Sequence, residues 1–200
     1  ALEDSASQVE WQQADCTALP FPPASFSAVA CQFGLMFPQD KHTALLEARR
    51  VLVDGGLLIF NVWDSLAHNP FIQVIQETIV SFFPTDPPRF FDRPYAFHDT
   101  RDWKDLLSAS GFTDQRHEVV TLEARSPTAE QFAYGQICGS PLGQEIRERG
   151  GSMERILEAV TAALVRQGGE APFTSSMQAL VISARASASG HAADWVSDQV

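Results

Sequence analysis

The stretch "SFSAVACQFGLMFPQDKHTALLEARRVLVDGGLLIFNVW" (residues 25–63) decides the fold. It opens with a run of small and apolar residues at 25–33 and closes with a second apolar run at 57–63, both typical of buried strands. Between the two runs, from Asp40 to the turn "DGG" at 54–56, apolar residues recur at helical spacing. Strand, helix and strand joined by tight turns predict a right-handed crossover with two parallel strands.

The same alternation extends through the rest of the chain and predicts an α/β domain with a largely parallel sheet. Asn69 and Pro70 are typical of a helix start, and Asp99 and Gly111 are typical of the start and end of a further helix. Two helical segments are expected in the second half, one opening at 126–132 and one around 153–165. The remaining strand-like segments are 8–14, 113–123 and 176–186.

These elements predict a single domain over residues 1–186, followed by a frayed tail at 187–200. The aromatic and proline-rich part at 64–112 is expected to form a lid insertion, and residues 126–170 a second, helical insertion. No internal repeat is visible.

Composition excludes several classes of protein. The chain has 200 residues and a net charge of −11, without a basic cluster, so it would repel the phosphate backbone of a nucleic acid. Its three widely spaced cysteines form neither a zinc motif nor a disulfide framework, which favours the reducing cytoplasm. The five histidines have no metal-ligand spacing, and no apolar run reaches the ~20 residues of a membrane span.

A longer stretch, "ADCTALPFPPASFSAVACQFG" and its continuation to residue 63, resembles the class I S-adenosylmethionine-dependent methyltransferases, in particular the ubiquinone/menaquinone-biosynthesis-like (methyltransferase type 11) branch. "EARRVLVDGGLL" (47–58) is similar to the family's "E..RVL.PGG.L", with Asp54 where proline is common. Ser27 likewise replaces the usual acidic residue of the "LPF…D.SFD.V" pattern. The resemblance implies a Rossmann-like sheet with strand order 3-2-1-4-5-7-6, bound S-adenosylmethionine, and S-adenosylhomocysteine as product.

The resemblance also implies which residues hold the donor. Asp15 lies where the family's acidic residue hydrogen-bonds the adenine amino group, and the Cys16 backbone amide lies where a ring nitrogen is met. A carboxylate accepts and an amide donates, so each suits its partner on adenine. Gln32, Phe33 and Gly34 match the segment beside the methionine portion of the donor, beyond the carboxyl end of a strand.

One part of the family pattern has no counterpart here. The glycine-rich "D.G.G.G" loop after the family's first strand is not found, nor is the acidic ribose-binding residue after the second. We therefore expect that the chain lacks the family's first two strands, which leaves 8–14 without a neighbour and 25–33 as a bare edge. Such an edge predicts self-association through 25–33 or an altered N-terminal arrangement.

The acceptor side is expected in the lid. Phe91, Tyr95 and Phe97 lie in an aromatic segment where relatives cover the acceptor, so we expect them to bind a small, apolar or aromatic acceptor. His98 is the candidate general base for a phenol or enol acceptor, although it can equally be a helix-start or surface histidine.

Two alternatives remain open at this stage. The chain can be a catalytically inactive α/β module that self-associates through its bare edge. It can also be another Rossmann-like enzyme, such as a nucleotide-dependent oxidoreductase, which the missing phosphate-binding loop disfavours.

Overall fold

A computed structural model describes residues 9–188 of the chain. Its sheet has four strands: β1 (Phe26–Gln32), β2 (Leu52–Trp63), β3 (Phe112–Ser126) and β4 (Phe173–Ala186). The order across the sheet is β1-β2-β4-β3, which corresponds to the last four positions of the order that the resemblance implies. The predicted α/β class is confirmed.

The sheet is mixed, which corrects the expectation of a largely parallel one. β1 and β2 are parallel, but β4 runs antiparallel to both β2 and β3. Ser126 at the end of β3 pairs with Phe173 at the start of β4, so the chain leaves and re-enters the sheet at the same end and must reverse its direction.

Six α-helices surround the sheet among the described residues. Asp99 caps one of them as predicted, and Asp40 caps another, because their carboxylates accept from the amides of Arg101 and Thr43. Both helical segments expected in the second half are found, and a third, short helix that was not predicted lies between them. The helices are α1 (Lys41–Val51), α2 (Pro70–Val80), α3 (Thr100–Ala109), α4 (Ala129–Cys138), α5 (Leu142–Glu148) and α6 (Met153–Gly168).

Two strand predictions need correction. Residues 9–14 form no strand, because no described strand lies beside them to pair with their backbone groups. β2 begins at Leu52, not at residue 57, because the "DGG" turn is accommodated within the strand as an irregularity with Gly55 at φ +74°. β1 is an edge strand that pairs only with β2 in the described part of the chain, as expected.

The core consists of two clusters that meet at one end of the sheet. One cluster packs α1 and α3 against the sheet, and the other packs α2, α4 and α6 against the aromatic segment after α2. Trp63, the last residue of β2, is partly buried against both clusters. The predicted tail is described only to residue 188, and the rest of it lies outside the described residues.

Candidate functional site

The carboxyl ends of the parallel strands β1 and β2 lie side by side, with Gln32 opposite Asn61. Beyond Gln32 the chain turns sharply at Phe33, whose φ is +49° and whose amide donates to Asn61 Oδ1 at 2.8 Å. A Cβ on Gly34 would lie 2.8 Å from Cys31 Sγ, so the turn has no room for a side chain there. The three residues predicted to contact the methionine portion therefore form a tight turn at the edge where such sheets bind ligands.

Asp15 is exposed, and its carboxylate is held in a local turn. Oδ1 accepts from the amide of Thr17 at 2.8 Å and from its hydroxyl at 2.7 Å. These bonds, the backbone one above all, lower the pKa of Asp15 below its usual range. The carboxylate is therefore ionised at neutral pH, and Oδ2 has no hydrogen-bond partner among residues 9–188.

The loop that carries Asp15 is fastened to α1. Glu47 accepts from the Leu19 amide at 2.8 Å, and the Arg50 guanidinium donates to the carbonyls of Leu19 and Phe21 at 2.9 and 2.7 Å. Arg50 also bonds both carboxylate oxygens of Glu47, and this lowers the pKa of Glu47 to about 2. The ion pair thus holds the loop at Leu19 and Phe21, and the amides of Ala24 and Ser25 fasten it further along by donating to carbonyls at the end of α1.

Cys16 lies close to the end of β1. Burial raises the pKa of the Cys31 thiol, and the nearby Cys16 thiol raises it further. The backbone amides of Gly34 and Leu35 donate to the Cys31 sulfur and lower this pKa in part. Cys16 itself is exposed, and its backbone amide has no partner in the described chain. The structure therefore brings Cys16 near the turn that begins at Gln32, as the resemblance implies for a donor site.

A stack of aromatic rings leads away from this turn. Phe33 stacks on Trp63 with ring centroids 4.3 Å apart, and Trp63 stacks on Tyr95 at 6.0 Å. Phe91 meets the edge of Tyr95 at 6.1 Å. The stack joins the predicted donor side to the aromatic segment of the predicted lid.

A cavity of about 250 Å³ lies beside the stack. Phe91 and Tyr95 line it as predicted for acceptor-binding residues, whereas Phe97 does not: it is buried in the cluster of α1 and α3, with the Lys41 ammonium 5.3 Å from its ring centroid. The residues around the cavity are Phe37, Trp63, Phe71, Ile72, Phe90, Phe91, Pro94, Tyr95, Ala124, Phe132, Gln136 and Met177.

His98 is half-buried and does not line this cavity. Its Nδ1 lies 2.8 Å from the carbonyl oxygen of Tyr95. Since a carbonyl can only accept, Nδ1 must carry the hydrogen, which leaves Nε2 as the basic nitrogen.

A polar network at the end of β2 was not predicted. Asn69 is fully buried. Its side-chain Nδ2 group donates to the backbone carbonyls of Asp64, Ser65 and Gln178. Its side-chain oxygen accepts from the backbone amide of Gln178. Asp64 accepts from the Gln178 side chain at 2.6 Å and lies 3.2 Å from His68 Nδ1. The sequence feature that could have predicted this network is the position of Asp64 directly after the carboxyl end of β2.

Burial raises the pKa of Asp64, but the hydrogen bonds from Gln178 and Ser65, with His68, outweigh it and bring the pKa below its usual value. This network ties the start of α2 to the sheet.

Neither a metal site nor a membrane helix is found in the described part of the chain. Among residues 9–188, no three His, Cys, Asp or Glu side chains are grouped as metal ligands would be. No helix within the same residues has both the length and the apolarity to cross a bilayer.

Comparison with known proteins finds methyltransferases similar to part of this chain. The methyltransferase domain family (Methyltransf_11) matches residues 1–60. The ubiquinone/menaquinone biosynthesis C-methyltransferase UbiE of Hahella chejuensis is 49% identical over 51 residues, 26% of this chain and 20% of that protein. The demethylmenaquinone methyltransferase of Renibacterium salmoninarum is 32% identical over 101 residues, 48% of this chain and 43% of that protein.

A solved structure extends the likeness across the fold. The methyltransferase-like protein BH2331 of Bacillus halodurans C-125 superposes with a TM-score of 0.55 at 17% identity, covering 91% of this chain and 79% of that one. The matched segments span less than half the length of the two curated relatives. The first 60 residues are thus similar to the methyltransferase domain family, part of the chain is similar to methyltransferases of the UbiE type, and the chain shares the fold of BH2331.

Proposed function

We propose that this chain supports methyl transfer from S-adenosylmethionine to a small aromatic acceptor. The observation that carries the proposal is the position of Trp63, which stacks on Phe33 of the donor-side turn and also lines the aromatic cavity. The Trp63 side chain thus lies between the turn proposed to hold the methyl donor and the cavity proposed to hold the acceptor.

The residues near the end of β1 suit the adenine of the donor. Asp15 offers an ionised carboxylate with an unpaired Oδ2 to the exocyclic amine, and Cys16 offers an unpaired backbone amide to a ring nitrogen. Both groups are exposed, and Thr17 holds the Asp15 carboxylate in place. Charge-assisted hydrogen bonds of this kind are roughly twice as strong as neutral ones.

When bound, S-adenosylmethionine would supply an electrophilic methyl group; an acceptor nucleophile would attack its carbon in line, and S-adenosylhomocysteine would leave with the electron pair of the broken C–S bond. The protein contributes mainly position, since a near-attack geometry supplies a large part of the acceleration in such reactions. The faces of Trp63 and Tyr95, stacked beside the turn, favour a positively charged neighbour through their quadrupoles.

The cavity favours an aromatic acceptor. Its wall consists mostly of Phe, Tyr and Trp rings, which pack best against another flat ring and exclude water. The two relatives bear names that refer to ubiquinone, menaquinone and demethylmenaquinone, and this supports a quinone-type ring as acceptor.

His98 is proposed as the proton acceptor for a phenolic or enolic hydroxyl that extends beyond the cavity, because His98 does not line it. The bond from Nδ1 to Tyr95 would leave Nε2 free to take the proton. A location in the cytoplasm stays a prediction.

The test is calorimetric titration of S-adenosylhomocysteine into the 200-residue chain and into a longer form extended upstream, with NAD as a control ligand. Binding of S-adenosylhomocysteine and not of NAD to either form supports the proposal. Binding to neither form would overturn it and leave the self-associating module as the better account, and a preference for NAD would favour the oxidoreductase.

A further inference from the structure

The cavity beside Trp63 is apolar apart from a few atoms. Of the residues that line it, only Trp63, Tyr95 and Gln136 carry nitrogen or oxygen in their side chains. Trp63 and Tyr95 stack on one another. Gln136 comes from α4, within the second insertion rather than the aromatic segment.

The side-chain amide of Gln136 is unpaired. No described residue hydrogen-bonds it, although the backbone carbonyl of Gln136 accepts from Ser140 at 2.7 Å. On the same helix, Ala133 and Ile137 are fully buried and Phe132 lines the cavity, so the helix presents Gln136 on the face that encloses it. Gln136 is half-buried, so its amide is open to a ligand that enters the cavity and can pair with it there.

We propose that Gln136 is the specificity-determining residue of the cavity, and that it selects an aromatic ring with an oxygen substituent by a hydrogen bond to that oxygen. The inference rests on the proposed function in calling the ligand the methyl acceptor. The ring of the acceptor packs on Phe91, Phe132 and Tyr95, and its oxygen lies against α4.

The side-chain amide of Gln136 suits an oxygenated ring in either oxidation state, with a ring carbonyl or with a ring hydroxyl. The amide group donates two hydrogen bonds through nitrogen and accepts through oxygen, so it pairs with a ring carbonyl or with a ring hydroxyl. Tyr95 is a single phenol, and burial raises its pKa well above its usual value, so it remains neutral. Gln136 differs from Tyr95 in carrying its donors and its acceptor on separate atoms, so the same side chain can bond a ring carbonyl or a ring hydroxyl.

The experiment compares two probes that differ only in the polar group, 2-naphthol and 2-methylnaphthalene. Their dissociation constants for the full chain are measured by ligand-observed NMR. One neutral hydrogen bond predicts that wild-type protein binds 2-naphthol about 10-fold more tightly. In Gln136→Leu this preference falls to about onefold, while binding of 2-methylnaphthalene changes less than about 3-fold.

A matched control is Gln131→Leu, which makes the same change on an exposed position of the same helix, outside the cavity. It should keep the full preference of the wild type. The proposal is overturned if Gln136→Leu keeps the preference for 2-naphthol, or if folded wild-type protein binds neither probe. Both results are independent of the S-adenosylhomocysteine titration, so failure here is distinguishable from failure of the proposed function.

Discussion

At the residue scale, Asp15 shows how a short motif predicts a chemical state. The sequence indicated an acidic residue beside a donor site, and the structure adds the Thr17 bonds that lower its pKa and leave Oδ2 open. The role in binding adenine stays a prediction.

Asp15→Asn tests that role. Asparagine keeps a side-chain oxygen for the Thr17 amide, so the turn remains, but an NH2 group replaces Oδ2 and cannot accept a hydrogen bond from the adenine amine. We expect the dissociation constant of S-adenosylhomocysteine to rise roughly 5- to 20-fold, measured by calorimetry. Asp105→Asn on the exposed side of α3 is the control and should leave the constant unchanged; an unchanged constant in Asp15→Asn would contradict the role.

Gly34 is required by space rather than by a special φ. A Cβ there would lie 2.8 Å from Cys31 Sγ, so Gly34→Ala should lower the free energy of unfolding by about 1–3 kcal/mol in urea denaturation. The control Gly135→Ala in α4, where no heavy atom lies within 4 Å of the new Cβ, should raise it by about 0.5–1 kcal/mol. If Gly34→Ala changed the free energy of unfolding as Gly135→Ala does, the turn would have room for a Cβ and the prediction would be wrong.

At the scale of elements, the connection from β2 to α2 depends on one buried side chain. Asn69 occupies the predicted start of α2, but its side chain makes no capping bond and bridges instead to Gln178 on β4. The helix start is thereby joined to the sheet, next to Trp63 and the cavity. A cap pattern in sequence specifies where a helix begins but not which partner the side chain finds.

Asn69→Ala should therefore cost more than the loss of an ordinary cap. The substitution leaves the Asp64 carbonyl and the Gln178 amide without a partner and removes one of two donors from the Ser65 and Gln178 carbonyls, so we expect the free energy of unfolding to fall by about 2–4 kcal/mol in urea denaturation. Asn61→Ala removes a single bond, to Phe33, and should cost less. Equal costs for the two variants would argue against the network.

At the scale of the whole molecule, the Glu47–Arg50 pair joins the N-terminal loop to α1 and makes its anchorage sensitive to acid. The pKa of Glu47 is about 2 when folded, below its ordinary 4.5. Its contribution to stability is thus complete above about pH 4.5, and is lost as pH falls through that range toward 2.

Glu47→Gln should be less stable than the wild type at pH 7, and the gap should narrow below pH 4.5 and close near pH 2. Urea midpoints at pH 7, 4 and 3 measure the gap. Glu118→Gln, on an exposed position of β3 without ion-pair partners, serves as the control. A gap that stays constant with pH would show that the pair does not titrate with folding.

The edge strand β1 keeps the prediction of self-association open. If copies pair there, Ala30→Lys on exposed β1 should shift the sedimentation coefficient toward that of the monomer, while Leu122→Lys on the opposite edge strand should not. A wild-type chain that sediments as a monomer at every concentration would contradict the prediction.

The sequence by itself determined the crossover of β1, α1 and β2, the helix cap at Asp99, and the resemblance to S-adenosylmethionine-dependent methyltransferases. These features depend on interactions within a few residues, which periodicity and short motifs record directly.

Only the tertiary structure decided that the sheet is mixed, that residues 9–14 form no strand, and which residues line the cavity. Gln136 lines that cavity and Phe97 does not, although the aromatic segment gave no local reason to separate Phe97 from Tyr95. In a segment without regular period, the direction of each side chain is set by what packs against it, and those partners are far away in sequence.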